Sequence, residues 1–323
     1  MPHRWPYFWE TAIQELIQQI INGLSVGAIY ALIAVGYTMV YGVLQLINFA
    51  HGDVFMVGAL LTLVLARAFG FVTPENVTQS WLAFALIAGL SIAGCGLLGF
   101  LIERLAYRPL RDKPRINSLI TAIGISLLLE FGGQHKKVFG PTPQPFPVDM
   151  LPGIRQTLFT VGGVSVSRVD ALVLFVTLLL MVTLSYIVLR TRTGLALRAV
   201  SHRVDTASLM GINTNRIISF TFVLGSCLAA TAGILYAIKY PPVQPLMGLL
   251  PGVKAFIAAV FGGIGNITGA VVGGIVLGLV EVFVVGYVPN GSQYRDGIAF
   301  VILIAILLVK PSGLFGRHVA EKV

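Results

Sequence analysis

Residues 16–52, LIQQIINGLSVGAIYALIAVGYTMVYGVLQLINFAHG, contain no Asp, Glu, Lys or Arg. The run is 37 residues long. As one helix it would measure about 55 Å, nearly twice the roughly 30 Å hydrocarbon core of a bilayer. One straight span does not account for it. The expectation is two close passes, or a full helix followed by a broken or re-entrant one. Gly36, Gly42 and the Asn48-Phe49-Ala50-His51-Gly52-Asp53 segment are the natural break points.

Outward from this run the composition agrees. Of 323 residues only 11% are charged, 22 Lys+Arg against 13 Asp+Glu, while 56% are hydrophobic and 36 are Gly; soluble domains carry about 25% charge. An ordinary soluble fold is excluded. The fold class expected is an all-α polytopic membrane protein with about 8–10 transmembrane helices, forming a single transmembrane domain over 1–323. Cys95 and Cys227 each lie in an apolar run, so neither a disulfide framework nor a thiolate metal site is expected. The first apolar run is longer than the core of a signal peptide, so no cleaved leader is expected.

Further spans read as 54–72, 79–102, 116–134, 169–189, 217–239, 252–266, 267–288 and 297–312. A second charge-free stretch runs from Ala255 to Val280, and 261–266 (Phe-Gly-Gly-Ile-Gly-Asn) interrupts it. Glycines and an amide at membrane depth free backbone groups that lipid cannot satisfy, so such a break faces protein or water. Two interrupted segments, near 42–53 and at 261–266, are the pattern that points to a transport pathway. The competing reading is that the glycines only permit tight helix crossings.

The charges set the orientation. Loop 103–115 carries Arg104, Arg108, Arg111, Lys113 and Arg115; loop 190–216 carries Arg190, Arg192, Arg198, Arg203 and Arg216; the tail adds Lys310, Arg317 and Lys322. By the positive-inside rule all three are cytoplasmic, and the net charge of +9 reads as topology, with no nucleic acid as partner. Loop 135–168, rich in proline from Pro141 to Pro152, falls on the external side, and its Val161-Gly162-Gly163-Val164-Ser165-Val166 stretch suits a small hairpin.

Chemistry-bearing motifs are few. No P-loop, His-Glu-x-x-His or Cys-x-x-Cys occurs and the five histidines are scattered, so neither catalytic residues nor a metal site is expected, and the chain is read as a transport protein, not an enzyme. Polar groups at membrane depth are costly and therefore functional candidates. Asn48, His51 and Asp53 are such a group, as pathway residues or as a hydrogen-bonded joint; on a helix Asn48 and His51 would share a face and Asp53 would turn away. Gly262, Gly263, Gly265 and Asn266 are the matching candidates for pathway or hinge in the later break. Glu130 and Glu281 are expected either to pair with a neighbouring arginine or to sit at the interface. An autonomous ion-coupled carrier or channel using Asn48, His51 and Glu130 is the alternative from another class.

In loop 190–216 a helical stretch from Thr191 to Val200, including Arg198, precedes a short acidic-start, Gly-stop helix over 205–211. Asp205, Ala207 and Gly211 resemble the Glu-Ala-Ala-x-x-x-Gly loop by which permeases of ATP-binding-cassette importers dock on their ATPases. With Tyr37-Thr38-Met39-Val40-Tyr41-Gly42-Val43, Ile47 through Asp53, Glu103 through Arg111, Leu209-Met210-Gly211-Ile212-Asn213, Phe261 through Asn266, and Arg295-Asp296 through Gly316, the chain resembles the permease family of branched-chain amino-acid ABC importers, particularly the LivH-type subunit. The resemblance implies a homologous second permease subunit, two cytoplasmic ABC ATPases that bind the ATP, an external amino-acid-binding protein, and an alternating-access cavity in a bacterial inner membrane. It implies no cofactor on this chain, and 190–216 as the docking loop. Relatives that carry urea or short amides keep that substrate class open.

Overall fold

The computed structural model describes residues 5–73, 75–111, 113–310 and 313–316, so Arg317 and Lys322 of the charge map lie outside the described residues. The helices are α1 (Trp5–Leu44), α2 (His51–Ala68), α3 (Trp81–Ile102), α4 (Arg115–Gly133), α5 (Arg168–Arg190), α6 (Arg192–His202), α7 (Val204–Leu209), α8 (Thr214–Lys239), α9 (Leu249–Gly262), α10 (Ile267–Tyr287) and α11 (Gly291–Val309). A π turn at Glu103–Tyr107 and a 3-10 turn at Arg108–Leu110 prolong α3. Strands are short: β1 (Gln144–Pro145), β2 (Thr157–Val161), β3 (Val164–Ser167) and β4 (Pro242–Val243). Among the described residues, seven helices are long and apolar enough to cross a bilayer: α1, α2, α3 with its extension, α4, α5, α8 and α10. At 14 residues α9 is about 21 Å long and too short to span.

The opening run does not make two passes. Ala12–Leu44 is one continuous apolar helix of 33 residues, about 50 Å long. It outruns the bilayer because most of it touches protein: 78% of its apolar window is buried within the chain. Gly36 and Gly42 sit inside the helix as points of close approach to His51 and Gly265, and the break falls later, at 45–50, where Gln45 turns left-handed (φ +53°). Unpredicted from the charge map is a second non-helical entry, 240–248, which leads from the end of α8 to the short α9.

Contacts sort the loops onto two faces. On one, Tyr107 Oη donates to Asn48 Oδ1 (3.0 Å) and Arg111 to Asn215 Oδ1 (2.6 Å), so loop 103–115 meets the ends of α1 and α8. Leu314 N–H donates to the Phe261 carbonyl (2.8 Å), which brings the tail to the same face. On the other, Ser165 N–H donates to Gln18 Oε1 (2.9 Å), and β1 in loop 135–168 pairs with β4. The first basic loop, the start of α8 and the tail are thus grouped together, opposite the proline-rich loop. The expected hairpin is present as β2 and β3, turned by Gly162 and Gly163 at φ +54° and +82°, the left-handed pair that a two-residue hairpin turn demands.

The centre of the fold is the antiparallel crossing of α1 and α10. Gly23 and Gly27 on α1 face Gly274 and Gly278 on α10, a small-xxx-small pair on each side. A Cβ on Gly27 would lie 2.7 Å from Ile275 Cα, which is backbone and cannot swing away. Gly27→Val is therefore expected to cost about 1–3 kcal/mol by forcing the helices apart. Gly124→Ala on α4, where a Cβ meets nothing within 4 Å, should leave stability unchanged or slightly raised. Thermal unfolding of the detergent-purified subunit compares the two, and equal midpoints would remove the crossing argument.

Candidate functional site

The link 45–50 brings α2 back into the interior. His51, the first residue of α2, packs its ring 4.5 Å from that of Tyr37 and against Gly36. That is eight residues, or about 12 Å, short of the end of α1. The start of α9 lies at the same level. A Cβ on Gly52 would sit 2.9 Å from the Gly248 carbonyl oxygen, and one on Gly252 would sit 2.9 Å from Gly52 Cα. Two helix beginnings thus meet inside the protein, each reached by a non-helical segment. In a bilayer such backbone is tolerated only against protein or a water-filled cavity.

A cavity of about 250 Å³ opens beside this meeting point, lined by Tyr37, Asp53, Ser126, Glu130, Leu249, Phe256 and neighbouring apolar residues. Asp53 and Glu130 are 2% and 6% exposed. Neither is in a salt bridge among the described residues, and Asp53 Oδ2 has no hydrogen-bond partner there. Glu130 neither pairs with an arginine nor sits at the interface: it is buried, and α4 turns it toward Asp53. The expectation for the early group also changes. Because α2 begins only at His51, Asn48 shares no helix face with it and is held by Tyr107, while Asp53 is the member that reaches the cavity. Ser126 and Phe256 carry no motif that singles them out, and Tyr37 stands only as the first residue of the Tyr37–Val43 block, with no role assigned to it.

The later break is a clasp. Asn266 Oδ1 caps α10 by accepting from Gly269 N–H (3.2 Å) while its Nδ2 donates to the Phe315 carbonyl (3.2 Å). Gly262 accepts from Phe315 N–H (3.0 Å), and Gly263 (φ +101°) passes so close to Gly316 that a Cβ would lie 2.5 Å from its nitrogen. Gly265 (φ +94°) completes the turn. Gly262, Gly263, Gly265 and Asn266 do not line the cavity; they tie α9 to α10 and to 313–316.

Loop 190–216 forms α6 and α7. Gly194, Leu197 and Val200 of α6 and Ala207 of α7 are buried. Arg198 is half-buried and Asp205 exposed. Leu209 and Met210 are 87% and 78% exposed, and Gly211 ends the helix left-handed at φ +79°. A groove of about 300 Å³ lies beside them, lined by Ala199, His202, Arg203, Thr206, Ala207 and Met210. No group of three or more His, Cys, Asp or Glu side chains among the described residues is placed to hold a metal ion.

Residues 19–307 match the family described as branched-chain amino acid transport system, permease component. The chain belongs to that family. This permease is 42% identical over 318 residues to the high-affinity branched-chain amino acid transport system permease protein BraD of Pseudomonas aeruginosa, covering 96% of this chain and 99% of BraD. It is 40% identical over 314 residues to LivH of Salmonella typhimurium, covering 95% and 97%. Among solved structures it is similar to PsaBC from Streptococcus pneumoniae, with a TM-score of 0.44 and 15% identity over 94% of this chain and 92% of that one. The permease is a multi-pass membrane protein whose relatives are transport permease proteins.

Proposed function

We propose that this permease is one transmembrane half of an ATP-driven ABC importer for branched-chain amino acids, in a bacterial inner membrane. Full-length similarity to BraD and LivH carries the reading. By the positive-inside rule the face bearing 103–115, 190–216 and the tail is cytoplasmic, and loop 135–168 is external. On the cytoplasmic side α6 and α7 dock one of two ABC ATPases, which bind and hydrolyse ATP; this chain needs no cofactor of its own. A homologous second permease subunit completes the path, and an external binding protein delivers the amino acid. ATPase movement reaches the cavity through α8, which follows α7 directly and packs along α2. Closure and opening of the joint between α2 and α9 then expose the cavity to one side and the other.

Vesicle reconstitution tests this. The four-subunit complex with its binding protein is expected to take up labelled leucine only when ATP is supplied to the ATPase side. The chain alone should take up none. Uptake by the isolated chain driven by an ion gradient would replace this reading with that of an autonomous carrier.

A further inference from the structure

We propose that Asp53 and Glu130 form the binding site for the ammonium group of the transported amino acid. The inference rests on the transport reading above and adds where this chain grips its substrate.

The observation is a contrast among the buried acids. Among the described residues five carboxylates are buried: Asp53, Glu103, Glu130, Asp170 and Glu281. Glu103 pairs with Arg111, Asp170 with Lys239, and Glu281 with both Lys254 and Arg295. The other two have no basic partner among the described residues, and both line the same cavity. Buried carboxylates are stable when a cation or hydrogen-bond donors answer them. Here Asp53 is met by the Ser126 hydroxyl and by Glu130 itself, neither of them a cation, and its Oδ2 is left without a partner among the described residues. Two adjacent acids therefore ask for a cation from outside the chain.

The remaining walls select which cation. Tyr37, Val253, Phe256 and Ile257 make most of the lining apolar. A hydrated metal ion gains nothing from such walls, whereas an aliphatic side chain does. Gly248 and Leu249, at the amino end of α9, also border the cavity, and the partial positive charge of a helix start suits a carboxylate. Ammonium, carboxylate and aliphatic side chain are thus each matched. The volume of about 250 Å³ is just under the range for drug-sized ligands and suits a smaller metabolite. The site also lies between the starts of α2 and α9, so a ligand there touches both sides of the joint that transport must move.

The test uses the assembled transporter with Cys95→Ala, Cys227→Ala and Leu249→Cys, and follows modification of the new thiol by a methanethiosulfonate reagent. Leucine and isopentylamine, which carry the ammonium group, are expected to slow modification at least tenfold. The acid 4-methylpentanoate, which lacks it, should slow it little. Asp53→Asn with Glu130→Gln should abolish protection by leucine and amine, with the complex still eluting as one species. Should that double variant not assemble, Asp53→Asn alone must still weaken protection. Equal protection by amine and acid, or protection that survives both neutral substitutions, overturns the site and leaves the two carboxyls sharing a proton as a structural pair. The two readings fail separately. If wild-type vesicles move no leucine the transport reading falls; if they do, and the variants bind leucine unchanged, only the ammonium site falls.

Discussion

Leu209→Asp together with Met210→Asp is expected to abolish ATP-driven uptake while leaving the permease inserted and its thermal stability unchanged. Both side chains are almost fully exposed at the end of α7, and no described residue covers them. Folding gains nothing from them there, so their loss should cost the fold nothing. Exposed apolar side chains grouped on a basic face fit the docking surface proposed for α6 and α7. Apolar anchors in an interface are worth about 2 kcal/mol or more each, and charging one of the pair alone would weaken docking about 30-fold. Val138→Asp on the opposite face, also exposed, is the control for added charge. Co-purification of the ATPase with the double variant at wild-type yield, with uptake intact, would remove α7 from the docking surface. Gly211→Val tests the same contact through the backbone. A Cβ there meets nothing within 4 Å, so any effect must come from the left-handed conformation, about 1–2 kcal/mol for a non-glycine residue, and from the altered angle of α7.

Most helix limits were legible because lipid imposes them. Spans read at 116–134, 169–189 and 267–288 correspond to α4 (Arg115–Gly133), α5 (Arg168–Arg190) and α10 (Ile267–Tyr287). The hairpin was legible because Gly162-Gly163 between alternating strands has few other uses. What hydropathy did not reveal is whether an apolar run faces lipid or protein. The 16–52 run was divided to fit a bilayer, yet α1 is embraced by α8, α9 and α10 and so escapes the length limit. A signal for the 240–248 entry did exist. Pro241, Pro242 and Pro245 follow closely on α8 and remove backbone donors just where the chain goes non-helical.

The candidate site was half legible. Asp53 and Glu130 stand out as acids in apolar sequence, but 77 residues separate them and nothing local joins them. Their meeting depends on α2 starting deep in the protein, which in turn depends on Gly36, Gly52, Gly248 and Gly252 letting helix ends approach to backbone contact. Asn48, by contrast, is a strut: its amide is held by Tyr107 at the π turn that ends α3. The polar residues stand out in the sequence, but the division between cavity and joint is made by tertiary register and leaves no local mark.

Glu281→Ala should be the most damaging single change to stability, at about 3–5 kcal/mol, because it strips the partner from a buried charge. Glu281 accepts hydrogen bonds from Tyr30 Oη (2.8 Å) and Lys254 Nζ (3.1 Å) and pairs with Arg295, while Lys254 also reaches Asp296 (2.6 Å). Four charges and one hydroxyl thereby bind α1, α9, α10 and α11 at one point. With Glu281 gone, Lys254, only 6% exposed along its side chain, keeps the Tyr30 ring and one anionic partner, Asp296, that is itself half exposed. Arg295 is about a third exposed and can turn to water, so most of the penalty falls on Lys254. Replacing Lys254 and Glu281 together by Met should recover much of the loss, since an apolar pair of similar volume needs no counter-charge. Unfolding of the purified subunit in a denaturing-detergent titration measures all three variants. A Glu281→Ala midpoint equal to wild type would show the cluster to be idle. The expected outcome also separates two kinds of buried acid in one permease: loss at Glu281 lowers stability, whereas neutralising Asp53, which has no basic partner among the described residues to strand, should weaken substrate binding with the fold intact.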